Sequence, residues 1–171
     1  MEFYEVIKKR KSVRKYKSDP IPQDVLDRIL EAGRIAPSAK NIQPWRFIVV
    51  KDPAIKKKIG EASRGQTWIA DADVILVGCA LEKIAWGRMG GYMSSFAVDL
   101  AIAMDHIILA AANEGLGTCW IGAFVEKEVK EILNVPDDVK VVALTPIGYP
   151  AEEAKDRGRK SIEEIVSYDK Y

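Results

Sequence analysis

Near the start of the chain, Arg10, Ser12 and Arg14 set two guanidiniums and a hydroxyl within five residues. A guanidinium presents a planar fork of donors that matches phosphate oxygens, so the set suits a phosphate group. A second stretch, Ala36-Pro37-Ser38-Ala39-Lys40-Asn41-Ile42-Gln43-Pro44-Trp45, is a polar loop of small residues. Its two prolines restrict its path, and the carboxamides of Asn41 and Gln43 can hydrogen-bond the edge of a flat heterocycle. Another basic knot, Arg157, Arg159 and Lys160, stands near the C-terminus. Seen alone, either knot reads as a solvated polar segment, and basic residues at a helix C-terminus also favour its dipole. Two knots from opposite chain ends could instead converge on one dianionic phosphate, as a tightly held mononucleotide requires.

Other chemistries find less support. Gly115-Leu116-Gly117-Thr118-Cys119-Trp120 matches the first two glycines of G-x-G-x-x-G, but Trp120 occupies the third position. The segment also follows a helical pattern, whereas the dinucleotide fingerprint follows a strand. No G-x-x-x-x-G-K-[ST] occurs. With a single histidine and two cysteines forty positions apart, a structural zinc site is not expected. Cys79 and Cys119 lie in apolar stretches and read as buried free thiols. His106 falls within a long apolar segment and reads as a packing residue. Trp68, Trp86 and Tyr92 could line an entrance or simply pack. Trp120, Ile121 and Gly122 follow a glycine-tight turn, as a core strand or as apolar side chains and backbone beside a cofactor ring. No nucleophile-and-base set is recognisable, which fits a reaction whose hard step belongs to a cofactor.

The 171 residues suit one domain, and 48% apolar content is enough to bury a core. A net charge of +1 gives no electrostatic reason to expect a nucleic-acid partner. The N-terminus lacks a basic segment followed by a long apolar run, so no signal peptide is expected and the chain reads as cytoplasmic. Apolar spacing predicts helices over residues 3–11, from Pro22 to about Ala36, over 53–62 and over 126–133. Strand content marks 45–50, 72–80 and 139–147, with a short extended segment over 118–124. The run at 72–80 is almost continuously apolar, as in an interior strand covered on both faces. Residues 94–114 form the longest helical pattern, apolar on nearly every side, and should be buried within the domain or between subunits. Its charges leave no clean apolar run of about 18 residues, so it is not expected to span a membrane. Residues 87–95 are glycine-rich, and Ser161 to Glu164 matches a capping box that would open a last helical turn. These elements give a layered fold of strands interleaved with helices.

Four motifs in order resemble the nitroreductase family: R-x-S-x-R from Arg10 to Arg14, APSAxNxQPW from Ala36 to Trp45, GLGTCWIG from Gly115 to Gly122, and G-Y-P followed by R-x-R-K up to Lys160. The resemblance implies an α+β fold with a mainly antiparallel central sheet flanked by helices. It implies a single FMN-binding domain over 1–171 and a homodimer with FMN at its interface. Carried over, Arg10, Ser12, Arg14 and Arg159 would hold the phosphate and ribityl chain, with Arg157 and Lys160 less closely matched. Pro37, Ser38, Ala39 and Asn41 would line the flavin, with Gln43 coming from the partner subunit's loop. Ile121 and Gly122 would present backbone near the flavin N5, with Trp120 alongside. The implied activity is ping-pong electron transfer from NADH or NADPH through FMN to nitroaromatic, quinone or flavin acceptors. A non-catalytic FMN carrier or sensor, or a specialised dehalogenating or flavin-fragmenting enzyme, is the alternative. The stretch 81–95 is shorter than the helical lids of larger relatives.

Overall fold

The structure, a computed structural model, describes residues 2–171. Each element begins where the local chemistry allows. The Asp52 carboxylate accepts from the Ile55 N–H at 2.9 Å, and Pro53 follows as the first helical residue, opening α3 (Pro53–Ala62). An acceptor at the N-cap and a donor-less proline at N1 suit a helix start. Helix α5 (Glu126–Leu133) ends on Asn134, whose φ of 52° lets the following chain turn back on the helix. Helix α4 (Phe96–Asn113) ends at Gly115, φ 80°, and the Leu116 N–H returns to the Ala111 carbonyl at 2.8 Å. Both ends satisfy carbonyls that the helices leave over. Helices α1 (Phe3–Lys9) and α2 (Gln23–Arg34) precede them in the chain.

Strands β1 (Trp45–Val50), β2 (Val74–Ala80), β3 (Gly117–Thr118) and β4 (Lys140–Gly148) form one sheet in the order β1-β2-β4-β3, every pair antiparallel. All seven residues of β2 are buried. Val74 and Leu76 pack with Leu26, Ile29, Ile107 and Ala111 of α2 and α4. Ile75, Val77 and Cys79 pack with Ile59 and Val129 of α3 and α5. Strand alternation thus sends neighbouring side chains into two different layers, each covered by helices. Every such Val, Leu or Ile contributes roughly 1.5–3 kcal/mol on burial. The expected α+β architecture, a mainly antiparallel sheet flanked by helices, is what the chain forms.

Several local expectations need correction. Helix α1 stops at Lys9 rather than Lys11, because from Ser12 the chain pairs with β3. The 118–124 segment is not one strand: β3 pairs only over Gly117–Thr118, and contact resumes singly where Ile121 pairs with Leu144. At the capping box, the Ser161 N–H donates to Glu164 at 2.8 Å and a single turn forms, with no helix. Helix α4, 18 residues, is long and apolar enough to cross a membrane by length and composition. Yet Leu100, Ala103, Met104 and Ile107 are fully buried in the fold, so it is a core helix. Nor is it covered all round, since Val98 and Ile102 are exposed in the single chain. Both cysteines are buried and free, and burial raises the Cys79 thiol to about 11.

Two glycines set the spacing between layers. A Cβ on Gly78 of β2 would lie 3.2 Å from Leu100 and closer still to Met104, so α4 approaches the sheet more nearly than any other residue there would permit. A Cβ on Gly117 would meet three Val13 carbons at 2.7–2.8 Å. Gly117→Ala should therefore destabilise the protein by about 1–3 kcal/mol through overpacking. Urea unfolding reads this as a lowered midpoint at unchanged slope, and an unchanged midpoint would contradict the packing.

Candidate functional site

The phosphate-gripping set is positioned by contacts between distant parts of the chain. Ser12 pairs with Thr118, and the Val13 N–H donates to the Thr118 carbonyl at 2.9 Å. Farther on, the Lys17 N–H donates to the Tyr149 carbonyl at 2.8 Å and the Ala151 N–H to the Lys15 carbonyl at 3.0 Å. The Tyr16 hydroxyl donates to the Val13 carbonyl at 2.8 Å, drawing the loop closed. Burial pushes that phenol far above its usual range, so it remains protonated as a donor. Val13 is buried, Arg10 is half-buried and Arg14 is exposed.

These pairings bring the two basic knots together. A cleft of about 550 Å³ is lined by Arg10, Ser12 and Arg14 on one side and Arg157 and Arg159 on the other. Seven of its thirteen lining residues are lysine or arginine and two are acidic, so the cleft attracts anions. Lys160 is not among them. The two acids are already engaged, Asp156 with Lys11 at 3.3 Å and Glu152 with Lys15 at 2.8 Å. The Gly158 N–H and then Lys11 hold Asp156 below the usual carboxylate range. Among the described residues, Arg10, Arg14 and Arg157 have no carboxylate partner, and Arg159 donates only to the Gly158 carbonyl at 2.6 Å. Free guanidinium forks around a Ser hydroxyl fit a phosphate.

Loop 37–43 is built separately, at the N-terminal end of α4. Asp99, almost fully buried, accepts from the Ala39 N–H at 2.9 Å and from the Ser95 hydroxyl at 2.7 Å. Ser38 Oγ accepts from the Gln43 N–H at 2.9 Å. The Gln43 amide donates to the Asn41 carbonyl and side chain at 3.2 and 3.1 Å. Lys40, Asn41 and Gln43 all have φ near +55°. Left-handed backbone at three non-glycine residues is strained, and strain of this kind persists where surroundings over-determine it. Pro37, Asn41 and Gln43 are exposed, with Ser38 and Ala39 partly so. Because Gln43 is bonded to Asn41, the loop enters any site as one unit. The expected split, with Gln43 coming from a partner and the rest from the same chain, does not fit this geometry.

Beyond β3, the Ile121 N–H donates to Leu144 at 2.9 Å and its carbonyl accepts at 3.0 Å. Ile121 is therefore part of the wall, and its backbone is not available to a ring. Gly122 is exposed, and its N–H has no partner among the described residues. Trp120 is exposed beside it. His106 Nδ1 lies 3.3 Å from the Ala32 carbonyl and links α4 to α2, the packing role expected of it. Trp68 packs against the core, whereas Trp86 and Tyr92 lie in the 81–95 segment. Reasoning from sequence missed Asp99 and Tyr16. A lone carboxylate in the first turn of a mostly apolar helix was the available signal for the first.

In one chain the two halves stand apart. Trp45, where the loop enters β1, and Thr118, against which Ser12 pairs, occupy opposite edges and opposite ends of the sheet. Strand spacing of ~4.8 Å and a rise of ~3.3 Å per residue separate these corners by roughly 25 Å.

A family model described as the nitroreductase family matches residues 7–80 and 64–149. A relative named putative NADH dehydrogenase/NAD(P)H nitroreductase, from Methanothermobacter thermautotrophicus, is 34% identical over 92% of this chain and 82% of its own length. The crystal structure of a nitroreductase family protein from Clostridium novyi NT superposes with TM-score 0.82 and 42% identity, over 88% of this chain and 87% of that one. An FMN-dependent nitroreductase from Clostridium difficile R20291 superposes with TM-score 0.85 and 29% identity, over 97% and 98%. The motifs, the sheet order and these likenesses agree: the chain belongs to the nitroreductase family.

Proposed function

We propose that this chain is an FMN-dependent oxidoreductase that takes electrons from NADH or NADPH and delivers them to nitroaromatic, quinone or flavin acceptors by a ping-pong mechanism. The observation that carries the proposal is the anion-attracting cleft joining Arg10, Ser12 and Arg14 to Arg157 and Arg159. The name of the Clostridium difficile relative, FMN-dependent nitroreductase, supports the same cofactor. Bound FMN supplies the redox chemistry, so the protein need only bind, orient and shield. Arg10, Arg14 and Arg159 hold the phosphate, and the Ser12 hydroxyl adds a donor. Asn41 and Gln43 offer carboxamides to the ring edge on a loop whose strained shape Ser38 and Asp99 maintain. Gly122 offers a free N–H, and the Trp120 indole excludes water. A reducing cytoplasm fits the two free thiols.

The working unit we propose is a homodimer with one FMN in each of two interfacial sites. Corners roughly 25 Å apart are farther than one FMN spans, so each grip needs the loop of a second copy. Val98 and Ile102, one turn apart on α4, are exposed apolar residues beside that loop's Asp99 anchor, and Phe3, Tyr4 and Ile7 expose a further apolar strip on α1. Isologous burial of such faces is the common route to a twofold dimer.

Three outcomes follow. The purified protein should be yellow with non-covalent FMN rather than FAD, be bleached anaerobically by NADH or NADPH, and give parallel initial-rate lines with an acceptor. FAD on release, intersecting lines, or bound FMN that resists both nicotinamides would overturn the reading, the last in favour of a carrier. Arg14→Ala should weaken FMN affinity by about ten- to hundredfold while keeping its melting temperature, since a charge-assisted hydrogen bond contributes about 1.5–3 kcal/mol. Fluorescence titration with FMN measures this, and unchanged affinity would return Arg14 to the solvated surface. Sedimentation should find a dimer that Ile102→Glu splits into folded monomers with little FMN. A wild-type monomer carrying a full complement of FMN would rule out the shared site.

A further inference from the structure

We infer that Lys40 and Trp86 form a charge-selecting subsite beside the flavin, one that favours aromatic acceptors carrying an anionic group. The inference rests on the reading that loop 37–43 lines the flavin, and it names the class of acceptor. Lys40 projects from the strained tip of that loop, φ 53°, between Ala39 and Asn41. Its ammonium stands 5.9 Å from the centre of the Trp86 ring. A cation at that distance from an indole face is attracted by the ring, which limits the side chain's wandering. No carboxylate pairs with it among the described residues, so its charge is available to a ligand.

The segment that supplies Trp86 is a built structure. The Leu81 N–H donates to the Pro44 carbonyl at 2.9 Å, tying the segment to the end of the same loop. The Ser95 N–H donates to the Trp86 carbonyl at 2.8 Å, and Met89 pairs with Met93 across a turn containing Gly90 and Gly91 at positive φ. Its charges are mixed, and among the described residues none of them is paired with Lys40. Lys83 is paired with Asp138, Arg88 is exposed with no acidic partner among the described residues, and Glu82 is the only acid from 81 to 95. An indole face offers stacking to a flat ring, and an ammonium beside it offers an ion pair to a carboxylate on that ring.

The test compares isosteres that differ in charge. On oxidised, FMN-loaded protein, benzoate and benzamide are titrated against the flavin absorbance, and 4-nitrobenzoate and 4-nitrobenzamide are compared by kcat/KM with NADH. Wild type should favour the anion in both by about two- to fivefold, the range for an exposed ion pair. Lys40→Met, which keeps the stem length, should erase the preference, Lys40→Glu should invert it, and Lys40→Arg should retain it. Equal preference in wild type and Lys40→Met would overturn the inference. A raised KM for NADH with the benzoate preference intact would also overturn it, assigning the ammonium to the dinucleotide phosphates. Protein that takes up no FMN would instead remove the underlying reading of the site, so the two failures are distinct.

Discussion

The fold hangs on one joint, in which residues 12–17 bond to β3 on one side and to the chain leaving β4 on the other. Three backbone bonds, from Val13, Lys17 and Ala151, tie the first residues of the chain to its last third. Gly117 makes the joint possible, since any side chain there would displace Val13. Because the joint is made of backbone, it leaves arginine side chains free to face the cleft. The accompanying ion pairs, Lys11–Asp156 and Lys15–Glu152, are exposed and contribute little energy. Their larger effect is to occupy the two acids that would otherwise compete for the arginines.

A second, independent support holds the loop. Asp99 is a carboxylate taken out of water and satisfied by one backbone N–H and one hydroxyl. Such a group is costly if either partner is removed, so it specifies the loop's position more than it adds net stability. It also couples the loop to α4, whose exposed face lies along the same helix. Movement of that helix would therefore be felt by the loop, and in the dimer proposed above this would link assembly to cofactor binding.

The two supports lie at opposite corners of one rigid sheet. Rigidity here has a clear origin, since β2 is buried on both faces and Gly78 lets α4 press close. A stiff sheet cannot fold its corners together. In the dimer proposed above, two copies would complete each site from different corners while both halves stay on well-ordered elements.

The amino-acid sequence by itself determined the local events. Asp52-Pro53 starts a helix, Gly115 stops one, and β-branched content makes 74–80 a strand, because these depend on residues within a turn or two of each other. It also determined which residue types could grip a phosphate or meet a ring edge. Tertiary structure decided what local pattern cannot encode. The pairing of Ser12 with Thr118, the engagement of the Ile121 N–H and the meeting of Arg10 with Arg157 all depend on register between segments more than twenty residues apart. Asp99, a carboxylate in a mostly apolar helix, takes its role from the Ala39 N–H that bonds to it across the fold. The bond between Asn41 and Gln43 likewise made the loop a single unit, since a strained turn brings together side chains that an extended chain would send to opposite faces.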